Sequence, residues 1–263
     1  MESVTSKDGT RIAFDRFGNG PALILVGGAT VTRDYQTTFA TVLGDHFTVY
    51  SYDRRGRGES GDTLPYAVAL EIEDLEAMID AAGGSAFVFE HSSGAVLSLR
   101  AAATGLAITK LAVYGPPFIV DDSRAPGPAD YVEHLDELVA AGRRGDAFAY
   151  FMTAGIGMPE EIVAQMRQGP GWGAGEAVAH KIAYDGRVMG DTLAGKPLAD
   201  EPWNSIQVPT LVLDGGESPA WMHAGAEALM SKLPHGERRT LAGQDQGPAD
   251  DVLAPVLMTF FAG

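Results

Sequence analysis

The run Phe87-Val88-Phe89-Glu90-His91-Ser92-Ser93-Gly94-Ala95-Val96-Leu97 sets an apolar strand against a helix of small and apolar residues, with a serine at the junction. That layout is a nucleophile elbow, in which a serine hydroxyl stands at the tip of a tight strand-to-helix turn. Ser92 is therefore the candidate nucleophile or carbonyl-binding hydroxyl. The amide of Ser93, with an amide near Gly28 or Ala29 in the turn after an earlier apolar strand, would hold a developing oxyanion. The usual motif is G-x-S-x-G, and Glu90 stands where its first glycine belongs. Desolvation at the base of a pocket raises a carboxyl pKa, which would let Glu90 act as general acid or base near neutrality.

Alternating strands and helices position these groups. Arg11 to Phe17 and Ala22 to Val26 read as strands, separated by the turn Gly18-Asn19-Gly20-Pro21. Asp34 to Leu43 carries Tyr35, Phe39, Val42 and Leu43 at helical spacing and stops at Gly44. A strand over Phe47 to Tyr52 leads into the loop Asp53-Arg54-Arg55-Gly56-Arg57-Gly58, which reads as a loop held by ion pairs. Val68, Ile72, Leu75, Met78 and Ile79 mark one helix face, ending at Gly83-Gly84, and Leu111 to Tyr114 is a further buried strand. Strands buried on both sides and separated by helices predict an α/β fold with a mostly parallel, twisted sheet covered on both faces.

Between residues 118 and 203 helical segments follow one another without a strand: Tyr131 to Ala141, Ala147 to Ala154, Pro159 to Gln168 and Glu176 to Tyr184. The expectation is a helical lid over 118–203 inserted in a sheet domain formed by 1–117 and 204–263. The sheet pattern resumes with a strand over Thr210 to Leu213, a helix over Pro219 to Leu233, a strand over Arg238 to Leu241 and a helix from about Asp250. Tyr131, Phe151 and Trp172 in the lid, and Trp221 after the strand at 210–213, are candidates to line an apolar substrate cavity.

Lysine plus arginine (19) against aspartate plus glutamate (35) gives a net charge of −16, which repels phosphate backbones and anionic lipid. Nucleic acid and membrane surfaces are thus not expected partners; a small molecule is. The absence of cysteine excludes disulfides, thiolate metal sites and cysteine catalysis. No histidine–carboxylate cluster suggests a metal, and acid–base chemistry at a carboxyl and a hydroxyl needs no cofactor. The first residues lack the basic end and apolar stretch of a signal peptide, and no apolar run reaches membrane-spanning length, so a cytoplasmic protein is expected.

With these pieces in order the chain resembles the α/β-hydrolase superfamily over essentially its full length. It is most similar to lidded bacterial members with Asp53-Arg54-Arg55-Gly56-Arg57-Gly58 after the fourth strand and Tyr114-x-Pro116-Pro117-Phe118 after the sixth. The resemblance implies a serine, a histidine base, an orienting carboxylate and an oxyanion hole. Similar proteins carry the histidine where this chain has Gln246, and a glutamate where it has Gly115. After the seventh strand, Ser218 stands where an acid is otherwise expected. The six histidines lie elsewhere: His91 faces the scaffold, His134 and His180 fall on lid helices, and His223 and His235 read as surface residues beside His46 in an early loop. An acid is thus absent at Gly115 and present at Glu90, on neighbouring strands whose ends should lie about 5 Å apart. The expectation is a carboxylate moved one strand over, into space opened by the glycine.

A serine hydroxyl without an adjacent base is a poor nucleophile, and glutamine cannot carry a proton between groups. Three readings follow. One is cofactor-free acid–base chemistry of the cyclisation, isomerisation or lyase type on a small apolar carbonyl metabolite, with Glu90 as the acid/base. Another is a serine esterase or hydrolase using Ser92 with a substitute base. The third is a protein that binds a small ligand without turning it over.

Overall fold

A computed structural model describes residues 1–263, built around an eight-stranded sheet. Strands β1 (Glu2–Thr5) and β2 (Arg11–Phe17) run antiparallel at one edge. From β4 (Thr48–Tyr52) and β3 (Ala22–Val26) through β5 (Ala86–His91), β6 (Ile108–Tyr114), β7 (Thr210–Gly215) and β8 (Gly236–Leu241) the pairing is parallel. The strand order is β1-β2-β4-β3-β5-β6-β7-β8. The expected mostly parallel sheet is present. β1 lies outside the strands expected from sequence, because Glu2-Ser3-Val4-Thr5 offers only one large apolar side chain to a two-residue period.

The period-two alternation of each central strand sorts its side chains between two cores. Ile24, Val26, Val88, Val113 and Val212 pack on one face against α2 (Val68–Ala81), α3 (Ser93–Ala103) and α9 (Ala220–Met230). Leu23, Leu25, Phe89, Tyr114 and Leu213 pack on the other face against α1 (Thr37–Leu43) and α10 (Asp250–Ala262). The segment expected as one helix from Asp34 begins with a separate 3-10 turn, Arg33–Gln36, which turns the Gln36 side chain toward the sheet.

All helices between β6 and β7 belong to one continuous stretch: α4 (Tyr131–Ala140), α5 (Arg144–Tyr150), α6 (Glu160–Met166), α7 (Trp172–Val178) and α8 (Ile182–Met189). They have a core of their own around Leu135, Phe148, Met152 and Trp172. Two expected helices are divided. The one over Ala147 to Ala154 passes into a π-helical turn, Phe151–Gly155, and the one over Glu176 to Tyr184 is broken by a 3-10 turn, Ala179–Lys181. The glycine- and proline-rich stretch 169–173 holds the start of α7, and the Trp172 ring is buried there against Phe148 at a centroid distance of 4.7 Å. No helix is long and apolar enough to cross a membrane.

Candidate active site at the β5–α3 elbow

β5 delivers Ser92 with φ 58° and ψ −128°, in the left-handed region that a non-glycine residue adopts only under constraint. The constraint is local. The Ser92 amide donates to the Tyr114 carbonyl at 3.0 Å, tying the elbow to β6, and the Val96 amide closes the first turn of α3 on the Ser92 carbonyl at 3.3 Å. Gly28 comes against this turn: a side-chain carbon there would meet the His91 carbonyl at 3.0 Å, Ser92 Cβ at 3.7 Å and Ser93 Oγ at 3.8 Å. Gly28, Ser92 and Ser93 are therefore brought together as expected from the elbow, with Ala29 next along the turn and half-buried.

The loop after β4 holds that turn. Arg57 donates to the Gly28 carbonyl at 2.7 Å and Arg54 to the Gly27 carbonyl at 3.1 Å. Both arginines are buried; Glu71 grips Arg54 at 2.6 and 2.8 Å, and Asp74 grips Arg55 at 2.7 Å twice. Asp53, fully buried, accepts the Arg33 and Glu59 amides at 2.9 Å each and pairs with the Arg33 guanidinium. Ion pairs thus account for the whole arginine run.

Glu90 shares a sheet face with Val88 and is 4% exposed. Its Oε2 accepts a hydrogen bond from Gln36 Nε2 at 3.1 Å, and Gln36 in turn accepts one from Ser51 Oγ at 2.9 Å. The Glu90 Cγ lies 2.2 Å from where a Gly94 side chain would begin, so only glycine at the motif's last position leaves room for it. Burial pushes this carboxyl up to about 8, against the smaller opposing pull of the His91 amide and Gln36. The carboxyl therefore lies on the inner side of the elbow, between the start of α3 and the end of β3.

That placement corrects one expectation. The β5–β6 ladder pairs Glu90 with Val113, short of Gly115, and the space above Gly115 is taken by Gln246. Gln246 Nε2 donates to the Gly115 carbonyl at 3.1 Å, and a side chain at Gly115 would meet Gln246 Oε1 at 2.6 Å. The acid at position 90 fills room left by Gly94, and the room left by Gly115 is filled from the loop after β8. Gln36 is a member of the site that sequence reasoning misses, since nothing in its own segment marks it.

None of the six histidines hydrogen-bonds the Ser92 hydroxyl. His91 lies edge-on to Tyr114, and burial holds its imidazole down to about 4. His180 approaches the Gly56 carbonyl at 3.0 Å, His134 packs on Tyr150, and His46 and His235 are exposed. His223, expected at the surface, is half-buried and paired with Asp214, which also binds Arg238 at 2.7 Å and Thr240 at 2.9 Å. That pair lies toward the β8 edge of the sheet beneath α9. Buried polar atoms without a hydrogen-bond partner include Gln246 Oε1, the Ser218 hydroxyl and His91 Nε2.

The aromatic candidates divide. Tyr131 and Trp172 are buried in the helical segment's own core, Tyr131 against Tyr150 at 5.5 Å. Phe151 is half-buried beside Phe148 at 6.4 Å. Trp221 is half-buried under the Arg124 guanidinium at 4.5 Å, and Arg124 donates to the Gly155 carbonyl at 2.7 Å, close to the Tyr131 hydroxyl.

Comparison with known proteins agrees with this geometry. The model of the "Alpha/beta hydrolase family" matches residues 23–254. An alpha/beta hydrolase from Sphaerobacter thermophilus is 56% identical in sequence, with a TM-score of 0.93 over 99% of this chain and 100% of that one. The enol-lactonase from Burkholderia xenovorans, 18% identical, shares the fold with a TM-score of 0.72 over the full length of both chains. N-formylmaleamate deformylase from Pseudomonas putida is 33% identical over 153 residues, 56% of this chain and 57% of the relative's own length. From its elbow to its sheet order, and by the family model that runs from β3 through β8, the chain belongs to the alpha/beta hydrolase family.

Proposed function

We propose that this protein is an enzyme of cofactor-free proton transfer, acting on a small, largely apolar carbonyl compound in a reaction of the cyclisation, isomerisation or lyase type. Glu90 is the acid/base, and Ser92 with the amides of Gly28, Ala29 and Ser93 binds the carbonyl oxygen. One observation carries the reading: the strand entering the elbow carries a buried carboxyl, raised to about 8 by that burial, while no imidazole hydrogen-bonds the elbow serine. Loss of a triad base costs a serine hydrolase about 10⁴ to 10⁶ in turnover. A group titrating near 8 can give and take protons at neutral pH. In the forward step a C–H proton passes to the Glu90 carboxylate and its electron pair moves onto the carbonyl oxygen. The oxyanion amides hold the enolate; return of the proton to a different atom isomerises it, and departure of a β-substituent eliminates it. Glu90 is enclosed by Gln36, Gly94 and the end of β3.

We read residues 118–203 as the lid that excludes water, with Phe151 from the lid and Trp221 from α9 as candidates to contact the substrate. A relative named as an N-formylmaleamate deformylase is in keeping with a small carbonyl substrate. The enclosure of Glu90 favours a second reading, in which the elbow binds such a compound without turning it over.

The test is α-deuteration of unsaturated lactones and cyclic ketones in heavy water, followed by proton NMR. Wild type should accelerate exchange of at least one of them. Glu90→Gln should lower that rate by about 10²-fold or more, and Ser92→Ala by less. An equal or larger effect at Ser92 sinks the acid–base assignment. Saturable binding without any exchange supports the second reading, and rapid stoichiometric labelling of Ser92 by a phosphonate would mean an activated serine.

A further inference from the structure

Asp185 belongs to α8, within the helical segment, yet its carboxylate is 4% exposed and its partners all lie in the sheet domain. Its Oδ1 accepts hydrogen bonds from Ser93 Oγ at 2.8 Å and Arg54 Nη1 at 2.7 Å. Its Oδ2 accepts one from Arg57 Nη2 at 2.6 Å. The same two guanidinium groups reach the Gly27 and Gly28 carbonyls at 3.1 and 2.7 Å. In a planar trans peptide the C=O of one residue and the N–H of the next point in opposite directions. Drawing the Gly27 and Gly28 carbonyls toward the arginines therefore directs the amides of Gly28 and Ala29 the other way.

We propose that Asp185 is a positioning residue that fixes both halves of the oxyanion hole from the helical segment. Through Arg54 and Arg57 it orients the Gly28 and Ala29 amides, and through the Ser93 hydroxyl it holds the residue whose amide opens α3. This rests on the reading of those amides as an oxyanion hole. The ionic arrangement makes Asp185 hard to replace. Arg54 keeps Glu71 as a second carboxylate, whereas Arg57 has Asp185 alone. Without Asp185, Arg57 is a buried cation beside another, and the contact between its guanidinium and the Gly28 carbonyl loses its anchor.

The experiment measures binding of two probes of similar shape by calorimetry, 4-nitrophenolate as an oxyanion and 4-nitrotoluene as its neutral counterpart. Wild type should prefer the phenolate. Asp185→Asn should reduce that preference about tenfold, roughly 1.4 kcal/mol, with 4-nitrotoluene binding unchanged. Asp185→Glu should recover part of it. A wild type without preference overturns the oxyanion-hole reading itself, and this inference with it. A preference that survives Asp185→Asn overturns the role of Asp185 alone, and equal loss of both probes reduces that role to structure. Should Asp185→Asn fail to fold, Ser93→Ala removes one hydrogen bond to the same carboxylate without leaving a buried charge. It should lower the preference several-fold, and no change overturns the proposal.

Discussion

Glu90 has no cation within hydrogen-bonding distance; its side-chain partner is the Gln36 amide. Burial outweighs the hydrogen bonds of the His91 amide and Gln36 and the more distant pull of Arg54, and its carboxyl rises from 4.5 to about 8. Between those values the folded state binds more protons than the unfolded chain, so the fold loses stability as pH rises through that window and levels off above it. The full difference amounts to about 5 kcal/mol at most. Glu90→Gln keeps a donor and acceptor there without the charge. Urea unfolding from roughly pH 5 to pH 9 should show wild type falling relative to Glu90→Gln, by several kcal/mol over the range. Parallel curves would place the carboxyl in water. The direction of this effect follows from a glutamate in an elbow; the Gln36–Ser51 chain that shares the site does not.

The elbow itself is an element whose glycines have changed partners. Gly94 admits the Glu90 side chain, and Gly115, at φ +52°, lies beneath the Gln246 amide. Gly115→Glu alone places a side chain in left-handed backbone and against Gln246, and should cost about 1–3 kcal/mol in denaturant unfolding. Combining it with Glu90→Gly and Gln246→His replaces the flexible neighbour and installs the acid and histidine that the resemblance implies at those positions. The triple variant should hydrolyse 4-nitrophenyl acetate at least about 10²-fold faster than wild type. If it folds and stays inert, positions 115 and 246 are not those of the lost acid and base.

At the scale of the whole molecule, the helical segment is joined to the sheet by buried charge. Asp185 spans 131 residues to Arg54 and 128 to Arg57, and α8 also packs on α3 through Val188 and Met189. Removing Asp185 leaves Arg57 without a carboxylate partner in a site closed to water, while Arg54 keeps Glu71. Asp185→Ala should cost about 3–5 kcal/mol in unfolding free energy. Adding Arg57→Met to it should restore part of that loss, because the unpaired cation goes with its partner; the cycle is read by urea titration of the four proteins. Simple additivity would mean that the two side chains do not act as a unit. The net charge of −16 is a surface property and leaves this interior set neutralised pair by pair.

Local chemistry made much of this protein readable from its residues alone. A strand that ends at a serine before a small-residue helix and alternating apolar runs each declare themselves within a few positions, because strand period and turn chemistry are properties of short segments. The parallel sheet and the elbow were legible for that reason. Tertiary structure alone decided which residues meet: Gln36 with Glu90, Gln246 above Gly115, and Asp185 with the arginines that hold Gly27 and Gly28. Those contacts join segments far apart in the chain, and their geometry is set by how the sheet and helices pack, which no local pattern encodes.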